Sequence, residues 1–134
     1  MKSNNKEMWM ITLEKRYCQA ILDGRKKIEV RTRLPRDIAA RDIVLVCMKG
    51  TNGHVPFSFE IDAVGIFYPN ILWDLYQQQL AIEKTDYLAY TKGRPVIYGL
   101  HIGQVNRYGE GVTIDDFGVN RSPQWFTKVP PEFA

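Results

Sequence analysis

The segment Val96–Val105 (VIYGLHIGQV) restricts the possible folds of this chain more than any other stretch. It reads as one long strand. Val96, Tyr98, Leu100 and Ile102 fall on one face, and Ile97, His101 and Val105 fall on the other or flank it. Gly99 and Gly103 interrupt it. Glycine inside a strand marks a bend or a bulge, and two in one strand suit the sharp curvature that closes barrels.

The rest of the chain agrees with a small barrel. Met8–Leu13 (MWMITL) reads as a buried first strand, and Glu14–Asp23 as a short helix with Tyr17, Ala20 and Ile21 on its apolar face. Gly24 then occupies the position where a helix often ends in a left-handed residue. Ile28–Arg33 alternates: Ile28 and Val30 point one way, Glu29, Arg31 and Arg33 the other. Ile43–Met48 is a continuous apolar strand, Gly50–Gly53 a turn, and Ser58–Phe67 a strand with Phe59, Ile61 and Ala63 on one side. Pro69 and Asn70 lead into a helix with an apolar stripe at Ile71, Leu72, Leu75, Tyr76 and Leu80, and a shorter helix is expected over 83–91. Pro123–Val129 is expected to form a last, edge strand. The order β-α-β-β-β-α-α-β-β predicts a mainly β, α+β domain with short helices, built on a small, partly open barrel.

At 134 residues the chain is expected to be a single domain over 1–134, with the polar segment 1–6 disordered. The net charge is only +3, which permits an anionic partner without demanding one. Its distribution is more telling. Between Arg25 and Arg41 there are seven Lys or Arg residues against two acids, Glu29 and Asp37, which leaves the remainder slightly acidic. The two cysteines, Cys18 and Cys47, are too few for a disulfide framework and lack metal spacing, so they read as reduced, buried thiols. No apolar run has the length of a signal peptide core or a membrane span. A cytoplasmic protein without metal, cofactor or membrane partner is the expectation. No phosphate-loop motif, nucleotide-fold glycine fingerprint or zinc cluster is present.

At Gly24–Arg31 (GRKKIEVR) the chain resembles the hallmark of ASCH domains, G-x-K-x-x-E-x-R, in the PUA-like superfamily. Three further segments are similar to that family in the same order. Asp42–Val46 (DIVLV) is like the strand after the hallmark, Glu83–Tyr98 like the helix before the long penultimate strand, and Asp116–Phe126 (DFGVNRSPQWF) like the "FG-x-x-R-x-P-Q" ending. The resemblance runs from about Ile11 to Val129. It implies a PUA-like barrel with a cleft beside the first helix and the basic motif at its mouth. It also implies RNA binding, or in some members hydrolysis of the acetyl amide of N4-acetylcytidine or ribonuclease activity. The amidohydrolase members use a Lys and a Thr of the basic motif and a later Glu. Lys26 matches that Lys, Glu29 stands where the Thr would be, and Glu83 is the nearest candidate for the Glu.

The residues themselves suggest how such a cleft works. Arg25, Lys26, Lys27, Glu29, Arg31 and Arg33 are expected to line one surface. Cations there neutralise phosphate and release its counterions. The Arg31 guanidinium can fork onto a phosphate or stack on a base, and Glu29 can accept from an exocyclic amine or a ribose hydroxyl. The plainer reading is a solvated ion pair between Glu29 and Arg31 or Lys27 on an ordinary surface. Gln124 carries both donors and an acceptor for a base edge, and Trp125 offers a stacking platform. Trp9 lies in an apolar strand and reads as core. His54 reads as a loop residue. His101 reads as structural, with an acid–base pairing to Glu29 as its functional alternative. The expected function is therefore a module that binds RNA or a modified nucleoside in a basic cleft, Gln124 or Trp125 completing it. The alternatives are a small hydrolase, of the N4-acetylcytidine amidohydrolase or ribonuclease type with Lys26 and Glu29 catalytic, and a protein-interaction adaptor in transcription regulation.

Overall fold

A computed structural model describes residues 6–133, so the segment expected to be disordered lies, apart from Lys6, outside the described residues. The chain runs β1 (Met8–Leu13), α1 (Lys15–Leu22), β2 (Ile28–Arg31), β3 (Ile43–Met48), β4 (Phe57–Phe67), α2 (Pro69–Leu80), α3 (Lys84–Thr91), β5 (Ile97–Arg107) and β6 (Thr127–Lys128), with single 3-10 turns at Ile114–Phe117 and Pro131–Phe133. The strands form one curled sheet in the order β2-β5-β4-β3-β1-β6. Among the described residues only β1 and β3 pair in parallel; every other neighbouring pair is antiparallel. The result is a half-barrel, α+β in class and partly open.

Three apolar clusters explain the patterns along the strands. Trp9, Ile11, Val44, Val46, Phe59, Ile61 and Leu100 fill the inside of the curl, and α1 adds Cys18 and Ile21. On the opposite face of β1 and β3, Met10, Leu45 and Cys47 pack under Val55, Ile114 and Val119. Because both faces of β3 are covered, its sequence is apolar throughout. The third cluster packs Ile28, Val30 and Ile97 against Leu72, Leu80 and Tyr87 of α2 and α3. Both cysteines are buried and unpaired, and burial pushes the Cys18 thiol up to about 12.

The glycines of β5 do what their positions require. At Gly103 a Cβ would stand 2.5 Å from Asp62 Oδ1 and 3.0 Å from the Glu60 carbonyl oxygen. That crowding comes from β4, whose register against β5 shifts between Phe59 and Ile61 and again between Ile61 and Ala63. These irregularities also correct the expected facing of β4. Phe59 and Ile61 are buried but Ala63 is exposed, because a shifted register breaks the alternation. Two ends differ from expectation as well. β2 stops at Arg31 because its partner β5 begins at Ile97, opposite the last pair Arg31–Tyr98. β6 keeps only two residues, because Phe126 turns inward, edge-on to Trp9 with ring centres 6.3 Å apart. Among the described residues no helix is long and apolar enough to cross a membrane.

Candidate functional site

The hallmark segment is held in place by backbone. Gly24 closes α1 at φ 84°, a conformation glycine adopts without steric cost. The Lys26 amide then donates to the Ala20 carbonyl at 2.9 Å, and the Lys27 amide to the Gln79 carbonyl at 2.8 Å. Lys26 is thereby pinned between α1 and the end of α2, and its side chain runs inward, leaving the residue 2% exposed. Its ammonium donates to the Leu80 carbonyl at 2.8 Å. That carbonyl belongs to the last turn of α2, where carbonyls lack helical partners and the helix dipole favours a cation.

Glu29 and Arg31 complete the cluster. Strand alternation sends Ile28 and Val30 into the core against α2 and α3, and Glu29 and Arg31 to the opposite face. Glu29 Oε2 accepts from Arg31 Nε at 2.9 Å, and Oε1 lies 3.7 Å from the Lys26 ammonium. The Arg31 guanidinium also lies over the Phe126 ring, 5.1 Å from its centre. Side-chain exposures of 1%, 7% and 14% for Lys26, Glu29 and Arg31 rule out the solvated surface pair as the description of this group. Burial holds the Lys26 pKa below its usual value; Glu29 opposes that shift and Arg31 adds to it.

A cleft of about 370 Å³ opens onto these three residues. It occupies the seam where the sheet fails to close, between the end of β1 (Thr12, Leu13) and β2, with α1 and α3 on its flanks. Tyr17 and Tyr90 supply aromatic walls, and Arg16, Lys49 and Asp86 stand along it. The Thr12 hydroxyl, though buried, has no hydrogen-bond partner among the described residues. The pattern of the sequence did not point to these lining residues. Tyr17 reads as part of a helix's apolar face, and Tyr90, Asp86 and Lys49 reach the cleft only through the packing of distant elements.

The other expected site residues lie outside the cleft. Arg25 is exposed and pairs with Asp23 at 3.1 Å. Lys27 precedes β2, so the strand's alternation does not extend to it, and it is exposed. Arg33 lies over the Trp125 ring at 5.1 Å, and Gln124 and Trp125 are exposed. Trp125 does touch Phe126, ring centres 5.7 Å apart, which places it one ring away from Arg31. Trp9 is core, as expected, its indole N–H donating to Asp42 at 3.0 Å. The pairing of His101 with Glu29 is excluded by register. His101 stands opposite Ile28 and meets Tyr76 of α2, whereas Glu29 stands opposite Leu100 on the other face. His54 sits in its loop with Nδ1 3.1 Å from the Val112 carbonyl oxygen. Glu83 precedes the first turn of α3, without a side-chain capping bond, and lines a neighbouring concavity; Asp86 is the α3 carboxylate that reaches the cleft. Among the described residues no group of three or more His, Cys, Asp or Glu is placed to hold a metal ion.

The whole architecture is shared with solved structures. An ASCH protein from Zymomonas mobilis superposes with a TM-score of 0.86 over 96% of this chain and 92% of its own, at 19% sequence identity. The fold is the ASCH fold. A tyrosine-to-phenylalanine and a serine-to-alanine variant of that ASCH protein match with TM-scores of 0.84 and 0.85, each at 19% identity and over 96% of this chain. They are covered over 94% and 92% of their own lengths. A hypothetical protein of known crystal structure shares a smaller part, with a TM-score of 0.53 and 16% identity over 71% of this chain and 96% of its own. No protein-family model and no curated protein matches the sequence. Within the ASCH fold, then, the chemistry of this chain rests on its own side chains.

Proposed function

We propose that the cleft binds a nucleoside, either modified and free or carried within RNA. One observation supports this above all: Lys26, Glu29 and Arg31 converge, nearly dehydrated, with hydrogen-bonding capacity beyond the bonds they make to one another and to Leu80. Lys26 has three donors and directs one to Leu80. Glu29 receives one short hydrogen bond although a carboxylate accepts several. Buried polar groups are stable when fully satisfied, so a guest offering both donors and acceptors gains where these groups are short of partners. The edge of a nucleobase is such a guest. The cleft is within the usual size range for small-molecule sites, and Tyr17 and Tyr90 offer rings for a base to stack on. The likeness to ASCH structures is compatible with this reading through the fold alone.

Titration with short single-stranded RNA and with N4-acetylcytidine tests it. Arg31→Ala is expected to weaken RNA binding about tenfold and to lower the salt slope by about one counterion. Affinity and salt slope both unchanged in the variant reject the reading.

A second reading, hydrolysis of an N4-acylated cytidine, is favoured by one feature. The Lys26 amine, its charge disfavoured by burial, stands 3.7 Å from a carboxylate at the floor of the cleft. An amine and a carboxylate so placed can divide the work of stabilising an oxyanion and moving a proton. Purified protein would then release acetate from N4-acetylcytidine, and Lys26→Ala would abolish the release. Absence of turnover at enzyme concentrations near that of the substrate removes this reading while leaving binding intact.

A further inference from the structure

A second concavity, of about 600 Å³, adjoins the cleft. Its own walls include Ala20, Arg25, Ala81, the Gln77 and Gln78 amides on the last turn of α2, and Glu83 just before α3. Arg16, Tyr17 and Ile82 line both spaces, so the two are compartments of one groove with Tyr17 as the partition. Cations flank that partition: the Lys26 ammonium is 5.1 Å from the Tyr17 ring centre and the Arg16 guanidinium 4.7 Å.

The compartments differ in kind. The first ends on buried charge. The polar side chains that line the second are exposed, among them two neutral amides that each offer donors and an acceptor. Arg16, at the shared wall, is held by Glu14 at 3.0 Å and Asp86 at 3.3 Å with about half of its side chain exposed. Such pairs are weak, so a phosphate can displace them and take the guanidinium fork. At the other end, Trp125 already carries Arg33 on its face and lines no concavity described above.

Resting on the reading of the cleft as a nucleoside site, we propose that its ligand is at least a dinucleotide. One nucleoside occupies the compartment of Lys26 and Glu29. Its neighbour occupies the compartment of Gln77 and Gln78, and the linking phosphate passes Arg16. A lone nucleoside leaves the larger compartment to water.

The test compares N4-acetylcytidine with the two dinucleoside monophosphates that join it to cytidine through its 3′ or its 5′ oxygen. Titrations use the full chain and a Gln77→Ala/Gln78→Ala variant, whose positions are exposed and cost little stability; circular dichroism checks its folding. One of the two dinucleotides is expected to bind about tenfold tighter than the nucleoside, the gain of one further base contact. The variant is expected to lose that gain while binding the nucleoside as before. Equal affinity for the nucleoside and both dinucleotides, or a gain that survives in the variant, overturns the two-compartment proposal and leaves the nucleoside site standing. Failure of all three to bind overturns the nucleoside site and this proposal together.

Discussion

Two carboxylates are buried in this protein to a similar degree, Asp42 at 3% exposure and Glu29 at 6%, and they differ in what surrounds them. Asp42 Oδ1 accepts from the Glu7 amide, and Oδ2 from the Trp9 indole N–H and the Ala39 amide, all at 3.0 Å. Its partners are neutral, close and attached to the fold. Glu29 has one short bond, from Arg31, and a looser contact with Lys26 at 3.7 Å. Its partners are charged side chains, and a cleft opens beside them. Burial alone therefore does not mark a site. A buried carboxylate whose acceptor capacity is met fastens structure; one whose capacity is only partly met, next to open space, is arranged for something else.

The comparison breaks most easily at Asp42. Asp42→Ala orphans two backbone amides, which no side-chain truncation removes, and the Trp9 indole N–H, so a loss of about 3 kcal/mol is expected. Urea unfolding measures it. Nucleoside affinity, corrected for the folded fraction, should not change. A loss under about 1 kcal/mol would mean that Asp42 is no more of a fastening than Glu29. One charged partner of Glu29, Lys26, can by contrast be removed together with the carboxylate's charge, and a glutamine amide oxygen still accepts from Arg31. Replacing a buried ion pair by groups of similar volume is often neutral or stabilising, so Lys26→Met/Glu29→Gln should stay within about 1 kcal/mol of the parent while nucleoside binding disappears. A double variant that loses stability as Asp42→Ala does would make the cluster structural.

The same contrast explains what could be read from the sequence. The nine main elements and their order followed from periodicity and from glycine and proline, because those signals are local. The hallmark placed Lys26, Glu29 and Arg31 together, because Gly24 and the alternation of β2 decide their direction within a few residues. Arg25, Lys27 and Arg33 carry the same charge in the same stretch, yet Arg25 and Lys27 precede the strand and Arg33 lies past the end of its pairing partner. Charge along a segment does not reveal which side chains the packing turns inward. Tyr17, Tyr90 and Asp86 were not legible, because they reach the cleft only when α1, α3 and the open seam of the sheet come together. The role of Asp42 was hidden for a related reason: its donors come from Trp9, 33 positions away, as well as from Ala39 nearby.

The smallest expected effect sharpens the comparison from the side of pH. Burial lowers the Lys26 pKa in the folded protein below its value in the unfolded chain. Between those two values the unfolded chain binds more protons, so this residue's contribution to stability rises with pH in that window. Below the window the full penalty for charging a buried amine applies; above the unfolded value there is none. Lys26→Met has no such contribution. The stability of Lys26→Met relative to the parent should therefore be most favourable below the window and should decline as pH rises toward 10.5, the unperturbed lysine value. Tyr17, Tyr87 and Cys18, whose raised pKa values act in the opposite direction at high pH, are common to both proteins and largely cancel in the difference. A difference that is flat from pH 7 to pH 10 would show that Glu29 and the Leu80 carbonyl satisfy the ammonium as completely as three neutral donors satisfy Asp42, and the distinction between the two carboxylates would lose its physical basis.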